Sequence, residues 1–197
     1  MQIADILLRV RARLRDTKFA DLRFSDNELL DYATSVQDDL IFTFNANLHD
    51  MEFHLQDSDT FVLPHSVLNI IAIFINGKEI PLKAYPIVLN TDSSIAVFQK
   101  SSNVYQCTQR FSGKVRVIAN FAGNPLSMDS QCVLNALFAD ALVYGIMQRA
   151  LQVETNEANL QRAAFYANAY SQEVSKLRSK LNAQRERKHL ITPYIKV

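Results

Sequence analysis

The side chains able to bind a metal or attack a bond are few and poorly spaced. His49 and His54 are five residues apart, in a stretch expected to leave the helix, so they do not share a face as helical ligands four apart do. They read as surface histidines. Asp38 and Asp39 are adjacent, and neighbouring helical positions diverge by about 100°, too far for two carboxylates to act on one bond. Ser127 and Ser130 stand outside any nucleophile-elbow pattern. Cys132 falls on an apolar helical face and reads as a core thiol. Cys107 and Cys132 are distant from each other and lack a Cys or His at ligand spacing. That argues against a disulfide scaffold and a zinc site, and points to a reducing compartment. The four glycines, Gly77, Gly113, Gly123 and Gly145, supply no phosphate-cradling loop. No catalytic residue, metal or cofactor is expected, and the chain reads as a non-enzyme.

Charge is the stronger signal. The 197 residues carry 21 Lys and Arg against 20 Asp and Glu, with 48% hydrophobic and 21% charged content, a folded rather than disordered composition. The near-neutral total hides a polarity. From Asp16 to Asp59 eleven acids face only Lys18 and Arg23, a net −9; from Lys176 to Val197 seven bases face only Glu186, a net +6. Opposite patches of this size steer subunits or partners together, although solvated faces account for most charge runs. No apolar run approaches eighteen residues and the start lacks a secretory pattern, so a soluble chain with no membrane partner is expected.

The elements that would position these residues follow from periodicity. Ile3, Ile6, Leu7, Val10 and Leu14 recur at helical steps and predict a helix over 2–15, with Arg9, Arg11, Arg13 and Arg15 on its remaining surface. Ser25 and Glu28 form a capping box, with Phe24 placed to staple onto Leu29, and predict a helix over 25–46. Over about 52–121 Val-, Ile- and Phe-rich runs alternate with turn signals and predict a small antiparallel β region. Asn76-Gly77 supplies the type I′ hairpin turn after Ile70–Ile75, and a turn around Ser112-Gly113 is expected to join Val104–Phe111 to Lys114–Phe121. Helical spacing resumes over 128–151 and 156–181, predicting an antiparallel helical hairpin. The expected fold class is α+β: a bundle of about four helices over 1–181, with an inserted small antiparallel β region and an extended C-terminal arm over 182–197.

That arm carries Arg185, Arg187 and Lys188, then Leu190, Ile191, Tyr194, Ile195 and Val197. One reading folds it back onto its own domain as an edge strand. The favoured reading is a docking arm, because a basic linker separates its apolar residues from the packed body. Nucleic-acid binding through the basic tail has no aromatic-stacking or zinc-finger motif behind it.

The ordering resembles the head-tail connector (adaptor, or head-completion) proteins of tailed bacteriophages, especially short-tailed ones. The resemblance rests on the opening helix with Asp16-Thr17, on Phe24-Ser25-Asp26-Asn27-Glu28-Leu29-Leu30 leading to Ala33 and Val36-Gln37, on Leu63-Pro64, on Asn124-Pro125-Leu126, and on Arg162-Ala163-Ala164-Phe165-Tyr166. It covers most of the chain, although family members often carry Trp where Phe24 stands and the segment from Thr91 to Arg110 matches less well. The resemblance implies a virion structural protein at the head-tail junction, a homo-oligomer of typically twelve copies beneath the portal protein. Such a ring extends the channel for passing double-stranded DNA, without sequence-specific binding, and offers a platform to a tail or nozzle protein. It implies portal docking by the arm and leaves Asp31, Asp38 and Asp39 as candidate channel-facing acids. The competing expectation is a DNA- or protein-binding accessory factor that uses the basic tail.

Overall fold

The computed structural model describes residues 1–16, 22–83, 95–152 and 157–189, with 157–159 and 184–189 described as backbone. The chain divides into two compact units, Met1–Asp39 with Asn124–Val197, and Leu40–Gly123.

The first unit is helical. α1 (Ile3–Leu14) buries Ile3, Ile6, Leu7, Val10 and Leu14 as its spacing requires. α2 (Asp26–Phe44) opens on the expected capping box: the Ser25 N–H donates to Glu28 Oε2 at 2.8 Å, and the Glu28 N–H donates to Ser25 Oγ at 3.2 Å. Phe24 and Leu29 are both buried, as a hydrophobic staple demands. α3 (Ala139–Gln152) follows a 3-10 turn at Ala136–Phe138 whose Leu137 N–H is capped by the Asn135 side chain. α3 is buried nearly all round, from Ala141 and Leu142 to Ala150 and Leu151, which makes it the central helix of the unit. α4 (Glu157–His189) packs along it. Lys176 senses Asp140 while Tyr166 stacks on Tyr144, so the two run antiparallel as expected. Gly145 permits the close approach, because a Cβ there would lie 2.6 Å from Val36 Cγ1 and 3.2 Å from Tyr170 Cε2.

Two helix boundaries differ from expectation. The segment over 128–138 has helical apolar spacing, yet its backbone pairs with the N-terminus: Ile3 N–H donates to the Ser130 carbonyl and Cys132 N–H to the Met1 carbonyl. Val133 and Leu137 are consequently 48% and 44% exposed rather than core. α4 runs on to His189 instead of stopping at Leu181. Ala183, Gln184, Arg185, Glu186 and Arg187 are good helix formers, and no Gly or Pro interrupts before Pro193.

The second unit corrects the expected fold class. The protein is α+β, but strands occupy 32% of it in one large, nearly closed mixed sheet, not a small antiparallel insert in a bundle. Its strands are β1 (Leu48–Val62), β2 (Val67–Ile75), β3 (Lys78–Ile80), β4 (Leu82–Lys83), β5 (Val97–Gln99) and β6 (Val104–Phe121). β6 holds the sheet together. β1 pairs antiparallel along it from Leu48↔Asn120 to Val62↔Val104. On its other edge β5 pairs with its first half and β2 with its second. β3 pairs with β2, and β4, one residue further on, pairs parallel with β5, which brings the sheet round on itself. Inward residues Phe61, Ile73, Val97, Tyr105, Cys107, Val115 and Val117 form its core.

The sheet outgrows the expectation for two reasons. β1 starts at Leu48 because Met51, Phe53 and Leu55 alternate inward between polar residues, a period-two pattern diluted by charges and histidines. Ser112-Gly113 is no turn, since β6 continues straight through it. The β2–β3 hairpin forms at Asn76-Gly77 as expected, with φ of 50° and 82°, and its tip docks there. Asn76 N–H donates to the Lys114 carbonyl and Asn76 Oδ1 accepts from Lys114 N–H, both at 2.9 Å. Gly113 has φ 154°, and a Cβ would lie 2.2 Å from that same Oδ1. Gly113→Ala is therefore expected to dislodge the Asn76 side chain and cost about 1–3 kcal/mol in urea unfolding, with helical content unchanged by circular dichroism.

Candidate functional site

The acidic segment does not form a bare acidic patch, because bases from distant parts of the chain are folded onto it. Asp50 and Glu52 of β1 meet Arg116 at 2.5 Å and Lys114 at 2.7 Å on β6. Each base reaches diagonally across the register that sets Glu52 opposite Arg116 and His54 opposite Lys114. The Arg116 hydrogen bonds hold the Asp50 carboxyl below the ordinary carboxylate range, and Asp59 is lowered by hydrogen bonds from Gln106 and Thr60. Asp57 stands 3.6 Å from Arg110. Asp39 is held by Arg149 of α3.

One of these pairings is internal to the helical core. Arg11, expected on the surface of α1, is buried. Its guanidinium donates to Asp16 at 2.7 Å, to Asp26 at 2.6 Å and to the Phe24 carbonyl at 2.9 Å. Asp16, itself buried, also accepts from the Arg23 and Phe24 N–H groups. The other α1 arginines face α3, with Arg9 on Asp140 and Arg13 4.8 Å over the Tyr144 ring.

The candidate channel-facing acids are separated. Asp31 is exposed and Asp38 half-buried two turns later on α2, whereas Asp39 turns to Arg149. Beside Asp31, the Tyr32 hydroxyl is raised first by burial and then by Glu28 and Asp31. Of the residues expected to form a docking arm, Arg185, Arg187 and Lys188 fall within α4, so this part is helix rather than extended chain. Leu190, Ile191, Tyr194, Ile195 and Val197 lie outside the described residues. No protein-family model matches the chain, and no curated protein is detectably similar to it.

The remaining candidates have structural surroundings. His49 packs on Phe121 at 4.7 Å and contacts Asn47; His54 points outward from β1. Ser127 and Ser130 bond each other. Among the described residues no three His, Cys, Asp or Glu converge as metal ligands, and no helix is long and apolar enough to cross a membrane. Cys132 is buried with Sγ 3.0 Å from Gln37 Oε1, as a core thiol should be. It lies outside the helix in which the spacing placed it. Periodicity missed Arg11 and the polar cluster of Gln148, Arg149 and Tyr170, because both take shape only when separate helices meet.

Two outcomes follow from these surroundings. Arg11→Met leaves the Asp16 carboxylate buried without its base, and is expected to cost about 3–5 kcal/mol in urea unfolding, partly recovered in the Arg11→Met, Asp16→Asn double variant. Burial, with a smaller effect of Asp59, pushes the Cys107 thiol from 9.0 up to about 11. The folded state then keeps a proton that the unfolded chain loses, so this contribution to stability is present below pH 9 and declines as pH rises from there towards 11. Cys107→Ser should flatten that alkaline decline, and native Cys107 should resist a thiol reagent until the sheet unfolds.

Proposed function

We propose that the chain is a structural adaptor at the head-tail junction of a tailed-bacteriophage virion. Copies of it, typically twelve in such rings, would seat beneath a portal protein, extend the channel for double-stranded DNA, and present a platform to a tail or nozzle protein. The observation carrying the reading is the basic end of α4. Leu177 is the last buried side chain described on that helix, yet the helix continues to His189 through Arg178, Lys180, Arg185, Arg187 and Lys188. A helical end rich in one charge is suited to a partner surface of the opposite sign. The order of two helices, a sheet and two further helices, and the capping box at Ser25, are features on which the resemblance rests.

Imaging the purified chain mixed with portal rings tests the reading. Ring-shaped density seated on the portal is the expected result. Persistent monomers that ignore the portal and retard DNA in a salt-dependent way would overturn it in favour of an accessory DNA-binding factor. Truncation after Leu181 removes no fully buried side chain of the described residues. It is therefore expected to abolish portal attachment while leaving unfolding free energy within about 0.5 kcal/mol of the full chain.

A further inference from the structure

Within the helical unit, α2, α3 and α4 enclose a cleft of about 240 Å³. Val36 and Gly145 are among the residues that line it, and the bare Gly145 Cα lets Val36 and the Tyr170 ring close on α3. Its wall is polar. Gln148, Arg149 and Gln152 line it from α3, Asp39 from α2 and Tyr170 from α4. Gln148 and Gln152 are one helical turn apart, so both amides face the same opening.

Three features define what this cleft takes. Its charges cancel, because Arg149 is already paired with Asp39. An anionic guest would have to displace Asp39 from the guanidinium and a cationic guest would have to displace Arg149 from the carboxylate. Its hydrogen-bonding capacity is mixed in sign: the Gln148 and Gln152 amides each offer donors and acceptors, and the Tyr170 hydroxyl offers one of each kind. That hydroxyl sits close enough to both ends of the ion pair for Asp39 to raise its pKa and Arg149 to lower it, beneath the larger upward effect of burial. It thus stays protonated and able to donate. Finally, 240 Å³ lies below the roughly 300–1,000 Å³ of sites for drug-sized ligands and cofactors. A single side chain with its flanking peptide groups matches the space better.

We propose that this cleft is an anchor site for an uncharged amide group carried by a peptide segment of a partner protein. An amide presents a donor and an acceptor in one plane, and the two glutamines and Tyr170 can satisfy both without disturbing the Arg149–Asp39 pair. The inference does not depend on the adaptor reading and uses none of the residues assigned to the arm.

The test uses the full chain and capped single residues as probes: N-acetyl, N′-methylamide derivatives of glutamine, alanine, glutamate and arginine. Binding is followed by NMR through the side-chain NH₂ signals of Gln148 and Gln152 and the Arg149 Nε–H. Capped glutamine is expected to shift these signals saturably, and more strongly than capped glutamate or arginine. Equal binding of capped alanine assigns recognition to main-chain peptide groups, and weaker binding assigns it to the amide side chain; both support the site. Tyr170→Phe removes one hydroxyl and keeps the ring packed, and should weaken binding about two- to tenfold, the value of one hydrogen bond. Gln148→Ala should do the same, with the backbone amide spectrum reporting that the fold is intact. The proposal is overturned if no probe moves the three signals, if a charged probe binds as tightly as capped glutamine, or if both folded variants bind as the parent does.

Discussion

The sheet depends on β6 remaining extended through Gly113. Three other strands take their partners from this one, β1 along one edge and β5 then β2 along the other. A turn at Ser112-Gly113 would split it into two short strands and leave β5 and β2 without a common neighbour. The hairpin tip closes off that alternative. Asn76 occupies the space a Gly113 side chain would need and binds the backbone of the next residue on both its N–H and its carbonyl. One glycine therefore acts as a site of close approach, although its neighbours in sequence suggest a reverse turn.

The helical unit is organised around a different constraint, the burial of Arg11 with Asp16. A guanidinium and a carboxylate taken out of water are tolerated only when their hydrogen bonds are met. Here they are shared among Asp26, the Phe24 carbonyl and two backbone N–H groups. The cluster joins the end of α1 to the start of α2, where the capping box and the Phe24–Leu29 staple also act. Five bases outside the acidic segment, Arg11, Arg110, Lys114, Arg116 and Arg149, answer its carboxylates. What looks along the chain like a separation of charge is in large part a set of pairings between residues distant in sequence.

The features legible in the sequence are those decided within a few residues. The α1 stripe, the Ser25–Glu28 box and the Asn76-Gly77 turn need only their neighbours, and each forms as expected. The illegible ones depend on remote partners. Val133, Leu134, Leu137 and Phe138 have helical spacing, but Met1, Gln2 and Ile3 capture the backbone just before them. The length of β1 is hidden because its inward residues are separated by charges that only β6 neutralises. The end of α4 is hidden because its apolar stripe stops near Leu181, whereas a helix already nucleated needs no buried face to continue through good helix formers. The basic residues at the end of α4 are visible as a charge run. The cleft at Gln148 and Tyr170 is not, because no single helix contains it.

The 33-residue length of α4 carries a thermodynamic consequence for whatever meets its basic end. At 1.5 Å per residue the helix is about 50 Å long, and the portion past Leu177 spans about 18 Å. A disordered tail would have to lose backbone freedom residue by residue on docking, at a cost of about 1–2 kcal/mol each. A tail already helical has met much of that cost during folding. A partner that met this end would therefore meet a shaped body, with charge setting the encounter rate, rather than order a flexible strand.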